Sequence, residues 1–530
     1  MRILLLPATL LHSLMLSAQD GPGLDERIDQ AFGQATGWFV RLIFYQFEVG
    51  GVMIPWVLFP LILGATFFTI YFRAPGIRLF RVAVNTVRGK YERVKQLPAD
   101  LNIVEGDVPD TIRIESSEGE VNHFQALTAA LSATVGLGNI AGVAVAVTVG
   151  GPGATFWMIL AGLLGMSSKF VECTLGVSFR EVDATGKVYG GPMYYLSKGL
   201  AQRGMANLGK VLAVVFAVMC VGGSFGGGNM FQVNQAASIF LGRMGMQAGH
   251  AGTVFGVIMA VLVGIVIIGG IRRIATVTEK IVPFMAVLYV GAAAIIIYMN
   301  AQYVPAAFTA IIQGAFAPVA IAGGFLGVLV QGFRRAAFSN EAGIGSAAIA
   351  HSAVKTKHPA SEGIVALLEP FIDTVVICTM TALVIVIYNV QGFFPYGAAD
   401  GAAVFSDGRA LTGVDLTTHI FESAIPNFSY VLTVAVVLFA FSTMISWSYY
   451  GLQAWTYLFG KSMRSANLYK LLFCVFVVVG AASNMGSVLD FSDAMIFAMM
   501  VPNMIGLVIL YPVVKDKLTE YLGSIKVKKG

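Results

Sequence analysis

The sequence predicts an all-α protein that crosses a membrane many times. Of its 530 residues, 57% are hydrophobic and 12% are charged, whereas soluble domains carry roughly a quarter of their residues as charges and about half as apolar ones. A bilayer-spanning helix needs about 20 predominantly apolar residues, and the apolar segments predict one accessory span followed by ten more. The 60 glycines fit this class, because glycine is commoner in transmembrane helices than in soluble ones.

The amino-terminal residues 1–18 predict a signal peptide. They combine one arginine, a short apolar run and a small-residue end, which is the pattern of a cleavable secretion signal; an uncleaved anchor is the alternative. Residues 19–121 are then expected to contain an amphipathic helix at the periplasmic interface over 24–50, an accessory span over 52–72 and a cytoplasmic linker.

Basic residues predict one orientation for the whole chain. Seven lysines and arginines lie between residues 73 and 95, and basic loops face the cytoplasm. Alternating the spans from there puts the acidic segment 390–427 outside and the tail, 516–530, inside. We therefore expect the chain in the inner or plasma membrane, with a cytoplasmic carboxyl terminus. The same rule accounts for the formal net charge of +5 without a nucleic-acid partner.

Ten spans are predicted in a core over residues 122–515. Their positions are 124–149, 153–178, 207–240, 252–270, 277–299, 318–350, 362–388, 428–458, 467–483 and 489–513. Ten helices can form two sets of five in inverted orientation, and unwound helices in corresponding positions then mark a binding site near the membrane midplane. The first helix of each set, at 124–149 and 318–350, is the one rich in glycine and small polar residues.

The first candidate site lies inside the span at 124–149. Gly136 and Gly138 weaken the helix there, and Ser132, Thr134 and Asn139 add side-chain oxygens. Backbone N–H groups freed at such a break can hold a carboxylate, and freed carbonyls can hold a hard cation such as Na⁺. Close helix packing through small residues is the alternative interpretation.

The matching candidate in the second set is Phe338–Ser346, which reads FSNEAGIGS. It again combines glycines with possible ligands, Asn340 and Glu341. A carboxylate at membrane depth is costly and is by default a functional hypothesis. Because Arg334 and Arg335 precede it closely, a structural ion pair is the alternative for Glu341.

Two further candidates lie in other spans. Thr443 and Trp447 are four residues apart and so share one helix face; the hydroxyls of Ser442 and Thr443 could ligate a cation beside a small pocket walled by the indole. Hydroxyls that bond back to their own helix are the alternative. Asn229 and Gln232 follow a run of three glycines, where packing alone could explain the glycines but not the two amides.

Missing motifs disfavour several function classes. The sequence contains no Walker A phosphate loop, no arginine-rich voltage-sensor span, no TVGYG-type filter and no HExxH pattern. These absences argue against ATP hydrolysis, those channels and HExxH-type membrane hydrolases. The four cysteines have no CxxC spacing and the six histidines no zinc-binding spacing. We expect no enzymatic activity.

Four motifs occur in order over roughly residues 120–515: VGLGNIAGVA within Ala126–Gly151, GGPMYY at Gly190–Tyr195, FSNEAGIGS at Phe338–Ser346 and FSTMISWSYYG at Phe441–Gly451. In this order they resemble the alanine or glycine:cation symporters, also called sodium:alanine symporters. The resemblance implies the leucine-transporter (LeuT) architecture, a 5+5 inverted repeat, and uptake of alanine, glycine or a similar small amino acid coupled to Na⁺, or to H⁺ in some members.

The resemblance also implies roles for the candidate residues. The expected substrate-binding residues are Thr134, Gly136, Gly138, Asn139, Asn229, Gln232, Asn340, Gly343, Thr443 and Trp447. The expected Na⁺ ligands, between the first and eighth core helices, are Ser132, Val135, Ser442 and Thr443. The expected partners are thus a small amino acid, Na⁺ and the lipid bilayer. An H⁺-coupled or other small-solute symporter is the main alternative, and a channel or a transporter-like sensor are further ones.

Overall fold

α-Helices form nearly all of the regular structure in this protein. The computed structural model describes residues 24–49, 52–91, 119–246, 251–316, 324–398, 401–482 and 485–526. The predicted signal peptide over residues 1–18 lies outside the described residues. Within them, strands pair only as three two-stranded antiparallel hairpins.

The segment before the core differs from its prediction in two places. Helix α1 (Leu24–Ile43) ends before residue 50 and is followed by a hairpin of β1 (Gln46–Val49) and β2 (Val52–Pro55). A proline disfavours helical backbone at the residue before it, so Pro55 explains why residues 52–55 form a strand rather than the start of a span. The accessory helix, α2 (Leu58–Tyr71), has 14 residues and is about 21 Å long, against the ~30 Å of the hydrocarbon layer.

The remaining long helices coincide approximately with the predicted spans, and shorter helices at Phe80–Val87, Val304–Phe316 and Gly413–Ala424 lie outside those spans. In chain order they are α3 (Phe80–Val87), α4 (His123–Thr134), α5 (Ala141–Gly150), α6 (Gly153–Ser178), α7 (Ala206–Met244), α8 (Ala251–Ile267), α9 (Gly270–Met299), α10 (Val304–Phe316), α11 (Gly324–Asn340), α12 (Ala347–His351), α13 (Pro359–Asn389), α14 (Gly413–Ala424), α15 (Phe428–Phe459), α16 (Met463–Ala482) and α17 (Met485–Lys526). The other strands are β3 (Glu181–Val182), β4 (Val188–Tyr189), β5 (Ala403–Val404) and β6 (Ala410–Leu411).

Seven of the described helices, α6, α7, α9, α13, α15, α16 and α17, are long and apolar enough to cross a membrane. The pair α4 and α5 makes an eighth crossing if it is taken as one span, bent by 58° at its break. Helices α2 and α8 are apolar but shorter, and the predicted span at 318–350 is divided into α11 and α12. By length and composition, the described residues therefore contain seven helices that could cross a membrane, or eight crossings if α4 and α5 are taken as one. The short helices α2 and α8 and the divided span α11–α12 are not included in this number.

Helix α6 lies at the centre of the packing. It contacts the accessory helix α2, the short helix α10, the divided helices α11 and α12, and α13. Gly153 at its start lies so close to α10 that a methyl group there would clash with the backbone of Gly314 and Ala315. The mutual approach of these two glycines is what allows α6 and α10 to pack in contact.

Gly153→Ala is expected to lower the thermal stability of the detergent-solubilised protein. The added methyl must displace backbone, which typically costs about 1–3 kcal/mol. Gly291→Ala is the matched control, because a methyl at this position of α9 meets no atom within 4 Å and alanine favours helix. Thermal unfolding followed by tryptophan fluorescence checks both variants. Equal unfolding temperatures for the two would contradict the close approach.

Candidate binding site between two broken helices

The first break separates α4 from α5. Helix α4 ends at Thr134, and a single 3₁₀ turn, Leu137–Asn139, connects it to α5. The Asn139 side chain closes this turn, because its Oδ1 accepts a hydrogen bond of 2.8 Å from the N–H of Gly136. The glycines predicted to weaken this helix therefore lie at its break.

The second break separates α11 from α12. Glu341, Gly343 and Gly345 all have positive φ, at 53°, 89° and 96°. Glycine adopts this region without strain, whereas a glutamate held there is strained and needs support from its surroundings. The Ser346 hydroxyl supplies part of that support by donating a hydrogen bond to Glu341 Oε2.

Asp373 of α13 holds the two breaks together. Its Oδ1 accepts from Asn139 Nδ2 at 2.6 Å, and its Oδ2 accepts from the hydroxyls of Ser339 at 2.8 Å and Thr374 at 2.7 Å. Asn139 Nδ2 also lies 3.1 Å from Ser339 Oγ, which joins the two broken helices directly. Asp373 is not among the predicted site residues, although a carboxylate within an apolar span is by itself a signal of a functional residue.

A small cavity lies where the two breaks meet. It has a volume of about 10 Å³ and is lined by Ala133, Thr134, Gly136, Gly138, Gly227, Gln232, Phe338, Glu341, Trp447 and Ile496. This is room for about one water molecule. A larger cavity of about 650 Å³ lies beyond Phe338 and Gly138, which line both. The small cavity is thus nearly closed, with the Phe338 ring between it and the larger one.

Several predicted substrate residues meet at this small cavity. Thr134, Gly136, Gly138, Gln232 and Trp447 line it. Thr443 lies alongside, since a methyl group on Gly136 would be 2.8 Å from Thr443 Oγ1 and 3.4 Å from Gln232 Oε1. Among the described residues Gln232 Oε1 is buried without a hydrogen-bond partner, and a buried carbonyl oxygen of this kind is ready to accept a hydrogen bond from a ligand.

Four of the other predicted substrate residues make hydrogen bonds to neighbouring protein atoms. Asn139 closes the first break and bonds Asp373, and Asn340 donates to Thr374 Oγ1 at 3.0 Å. Asn229 donates to the carbonyl of Phe473 at 2.8 Å. The Gly343 carbonyl accepts from Asn503 Nδ2 at 2.9 Å. None of these four residues lines the small cavity.

The predicted Na⁺ ligands come together between α4 and α15. Ser132 Oγ donates to the Ser442 carbonyl at 2.6 Å, and Thr443 Oγ1 donates to the Ser132 carbonyl at 3.0 Å. Val135 is buried one residue beyond the end of α4, where backbone carbonyls lack helical partners. Uncharged hydroxyl and carbonyl oxygens suit a hard cation, so the donor set fits Na⁺.

The residues matched by the family model for the sodium:alanine symporters are 43–530. The chain belongs to the sodium:alanine symporter family. It is 40% identical over 437 residues to the sodium/alanine symporter AgcS of Methanococcus maripaludis, which covers 82% of this chain and 91% of that protein. It is also 35% identical over 418 residues to a probable sodium/glutamine symporter, GlnT, of Bacillus subtilis, covering 78% of this chain and 81% of that one.

A solved structure of MhsT in complex with L-phenylalanine is similar with a TM-score of 0.49 and 16% identity, over 74% of this chain and 99% of that one. A likeness of this degree does not assign a fold. Membership of the family makes the chain a membrane transporter of amino acids coupled to a cation, and not an enzyme.

In this symporter Arg334 and Arg335 do not pair with Glu341. Arg334 Nη2 lies 3.7 Å from Asp493 Oδ2, and its guanidinium stacks over Phe44 of the amino-terminal segment. Both arginines line the larger cavity. Asp415 of α14 lines it too, and burial raises the pKa of this carboxyl above its usual range.

The end of the symporter where α4 begins is closed by backbone hydrogen bonds. The N–H of Glu120 donates to the Ala353 carbonyl at 2.7 Å, and the N–H of Lys355 donates to the Val121 carbonyl at 2.8 Å. Arg180 adds a hydrogen bond of 2.8 Å to the Ser352 carbonyl. Burial raises the pKa of the Glu120 carboxyl, whose Oε1 accepts a hydrogen bond from the N–H of Val188 in β4. The small cavity is therefore separated from this end.

Asp373→Ala is expected to destabilise the symporter strongly. It leaves the donors of Asn139, Ser339 and Thr374 buried without their acceptor, a loss of about 2–4 kcal/mol. Asp407→Ala is the matched control, because this exposed carboxylate pairs with Arg409 two residues further on and such pairs contribute little. Thermal unfolding in detergent checks both. A loss as large for Asp407→Ala as for Asp373→Ala would contradict the role given to Asp373.

Proposed function

We propose that this chain is a secondary active transporter that carries a small amino acid, alanine or glycine, into the cell together with Na⁺ by alternating access. One observation carries the proposal: two broken helices meet at a single buried cavity, with a group of uncharged oxygens at Ser132, Ser442 and Thr443 beside it. The names of the related symporters support both Na⁺ and alanine.

The broken helices supply the charge complementarity for a zwitterion. Helix N-termini favour a carboxylate, and unwound carbonyls and helix C-termini favour cations. A substrate carboxylate would lie against the N–H groups of the break near Gly138, because the Gly136 N–H is bonded to Asn139 Oδ1, and the unpaired Gln232 Oε1 would face the cavity for the substrate ammonium. Asn139 and Asn340 would then position the breaks rather than bind substrate, and the placement of Asn229 and Gly343 gives no support for contact with it.

Cavity size supports a small side chain. Trp447 and Phe338 line the small cavity, whose volume is about 10 Å³. Gly228 lets the indole approach the backbone of α7, since a methyl group there would clash with Trp447. Binding alanine requires some expansion of this space, and a glutamine-sized side chain requires much more. The tight wall therefore favours alanine or glycine over the substrate in the name of the Bacillus subtilis relative.

The arrangement of helices supports the proposed LeuT-like 5+5 repeat with one accessory span. The broken pair α4 and α5 leads the first five core helices, and the broken pair α11 and α12 leads the second five. Substrate and Na⁺ together would favour closure around the cavity, and opening at the α4 end would release them inside. The hydrogen bonds that join residues 120–121 to residues 353–355 would have to break in that step.

An inward Na⁺ gradient is expected to drive accumulation of labelled alanine in proteoliposomes. The reason is that Na⁺ bound between α4 and α15 stabilises the same break that holds the substrate. Uptake is measured at fixed pH and membrane potential, with choline replacing Na⁺ as the control. Equal uptake in Na⁺ and in choline would contradict sodium coupling, and transport without accumulation would point to a channel.

Trp447→Ala is expected to widen substrate selection. Removing the indole enlarges the wall of the cavity, so competition by leucine and glutamine against labelled alanine should increase several-fold, since each accommodated methylene contributes about 0.8 kcal/mol. Trp455→Ala is the matched control two turns along α15, where the indole binds Ser465 Oγ instead. An unchanged alanine-to-leucine preference in Trp447→Ala would contradict the role of the indole.

A further inference from the structure

A buried group of ionisable side chains adjoins the small cavity and has no part in the function proposed above. Glu341 lines the cavity from the second break and is 3% exposed. Behind it lie Lys169 and Glu172 of α6 and Glu362 and Glu369 of α13, all fully buried. This cluster occupies the part of the molecule between the cavity and the end where α4 begins.

The cluster forms a nearly continuous chain of contacts. Lys169 Nζ lies 2.9 Å from Glu369 Oε1, and Glu369 Oε2 lies 3.6 Å from His351 Nε2. His351 Nδ1 lies 2.5 Å from Glu362 Oε1, and Glu362 Oε2 bonds His123 Nδ1 at the start of α4. Every side chain in the chain is fully buried except that of His123, which is 6% exposed. The 3.6 Å separation is longer than a hydrogen bond, and neither Glu369 Oε2 nor His351 Nε2 has a hydrogen-bond partner among the described residues. These two atoms must therefore approach each other for a proton to pass between the α4 end and the interior.

Lys169 connects this chain to the cavity by electrostatic interaction with both Glu172 and Glu341. Asn503 adds a structural link, because its Nδ2 donates to Glu172 Oε1 and to the Gly343 carbonyl within the second break, each at 2.9 Å. Glu172 Oε2 has no hydrogen-bond partner among the described residues. The carboxylate nearest the cavity, Glu341, has the Ser346 hydroxyl as its bonded partner.

The charges of the cluster do not balance without protons. Glu172, Glu341, Glu362 and Glu369 are four carboxylates, and Lys169, His123 and His351 supply at most three positive charges. Asp373 adds a fifth buried carboxylate close to Glu341. Unbalanced charge in a low-dielectric interior is too costly to persist. The closed state must therefore hold at least one proton on a carboxyl group.

We propose that Glu341 is a proton-binding site of the transport cycle and that the symporter moves one H⁺ out of the cell for each amino acid it takes in. This inference rests on the function proposed above. The proton reaches Glu341 from the α4 end through His123, Glu362, His351, Glu369 and Lys169 after substrate has left. The carrier returns with a neutral Glu341 carboxyl.

The proton leaves when substrate and Na⁺ enter from the larger cavity. Glu341 then releases H⁺ past Phe338, and the positive charges that have entered the small cavity balance the carboxylate that remains. Within the described residues no group of His, Cys, Asp and Glu has the arrangement of a metal site, and Lys169 inside the cluster repels a second cation. A proton therefore fits the cluster better than a further metal ion does.

Other ionisable groups face Glu341 from the surrounding helices and shape its titration. They are Lys169 of α6, Cys220 of α7, Glu369 and Asp373 of α13, and Tyr450 of α15. Tyr195 faces the neighbouring Glu172 and donates to Asn503. Lys169 is the cation in this set, and its ammonium is already paired with Glu369, so it cannot neutralise Glu341 as well.

The test uses the full chain in proteoliposomes that contain the pH dye pyranine, with the membrane potential clamped by K⁺ and valinomycin. External Na⁺ and alanine are added, and alanine uptake and lumenal pH are followed together. We expect the lumen to become more alkaline by about one H⁺ per alanine taken up. Alanine uptake with no pH change, or with acidification, would overturn the inference while leaving sodium-coupled uptake intact. Absence of alanine uptake would contradict the proposed function instead.

Two variants assign the proton to Glu341. Glu341→Gln, which is permanently neutral, is expected to lose the pH change that accompanies each alanine carried, whereas Glu341→Asp keeps a carboxyl and should keep that pH change. Glu520→Gln, at an exposed position near the end of α17, is the matched control and should match the unaltered protein. Thermal unfolding establishes that each variant folds. An undiminished pH change in Glu341→Gln would overturn the assignment. If that variant does not fold, the test is Glu341→Asp, and loss of the pH change in that variant would overturn the assignment.

Discussion

The hydrogen bonds of Asp373 are the interaction on which the rest of the site depends. Each broken helix exposes backbone groups inside a membrane protein, where unpaired polar groups are costly. Asp373 accepts from Asn139 at the first break and from Ser339 just before the second. One carboxylate on an unbroken helix therefore fixes two irregular segments relative to each other. The small cavity exists because these segments meet in this arrangement.

Close approach of helices is the second constraint. Glycines permit it where a side chain would collide: Gly153 against Gly314 between α6 and α10, and Gly228 against Trp447 between α7 and α15. The second contact places an indole in the cavity wall, and Phe338 separates this cavity from the larger one. Backbone hydrogen bonds between residues 120–121 and 353–355 close the α4 end. The result is a nearly closed state in which little free volume remains for a ligand.

The sequence predicts where the two helices break, and the structure shows which neighbours the polar side chains at the breaks contact. Glycines within an apolar span and polar residues beside them indicated both breaks, and Gly136, Gly138 and Gln232 do line the cavity. The resemblance implies substrate-binding roles for Asn139, Asn229 and Asn340, and in this nearly closed state their amides bind protein atoms. An amide can satisfy a ligand or a neighbouring helix equally well, and the choice depends on which helix lies opposite. The strand at 52–55 was expected to be the start of a span. Hydropathy predicts an apolar segment there, but it does not take into account that Pro55 disfavours helical backbone at Ile54.

The sequence by itself determined that this is a helical membrane protein with two interrupted helices, since apolar length and glycine placement act locally along the chain. Its motifs also identified the sodium:alanine symporter family, of which the chain is a member. Only the tertiary structure decided which polar and charged side chains contact one another. Lys169 and Glu369 are 200 residues apart, as are Asn139 and Ser339, and no local pattern pairs them. Electrostatic and hydrogen-bond energies depend on distance in space. The buried cluster behind Glu341 therefore forms only when the helices pack together, and it cannot be predicted from the order of residues along the chain.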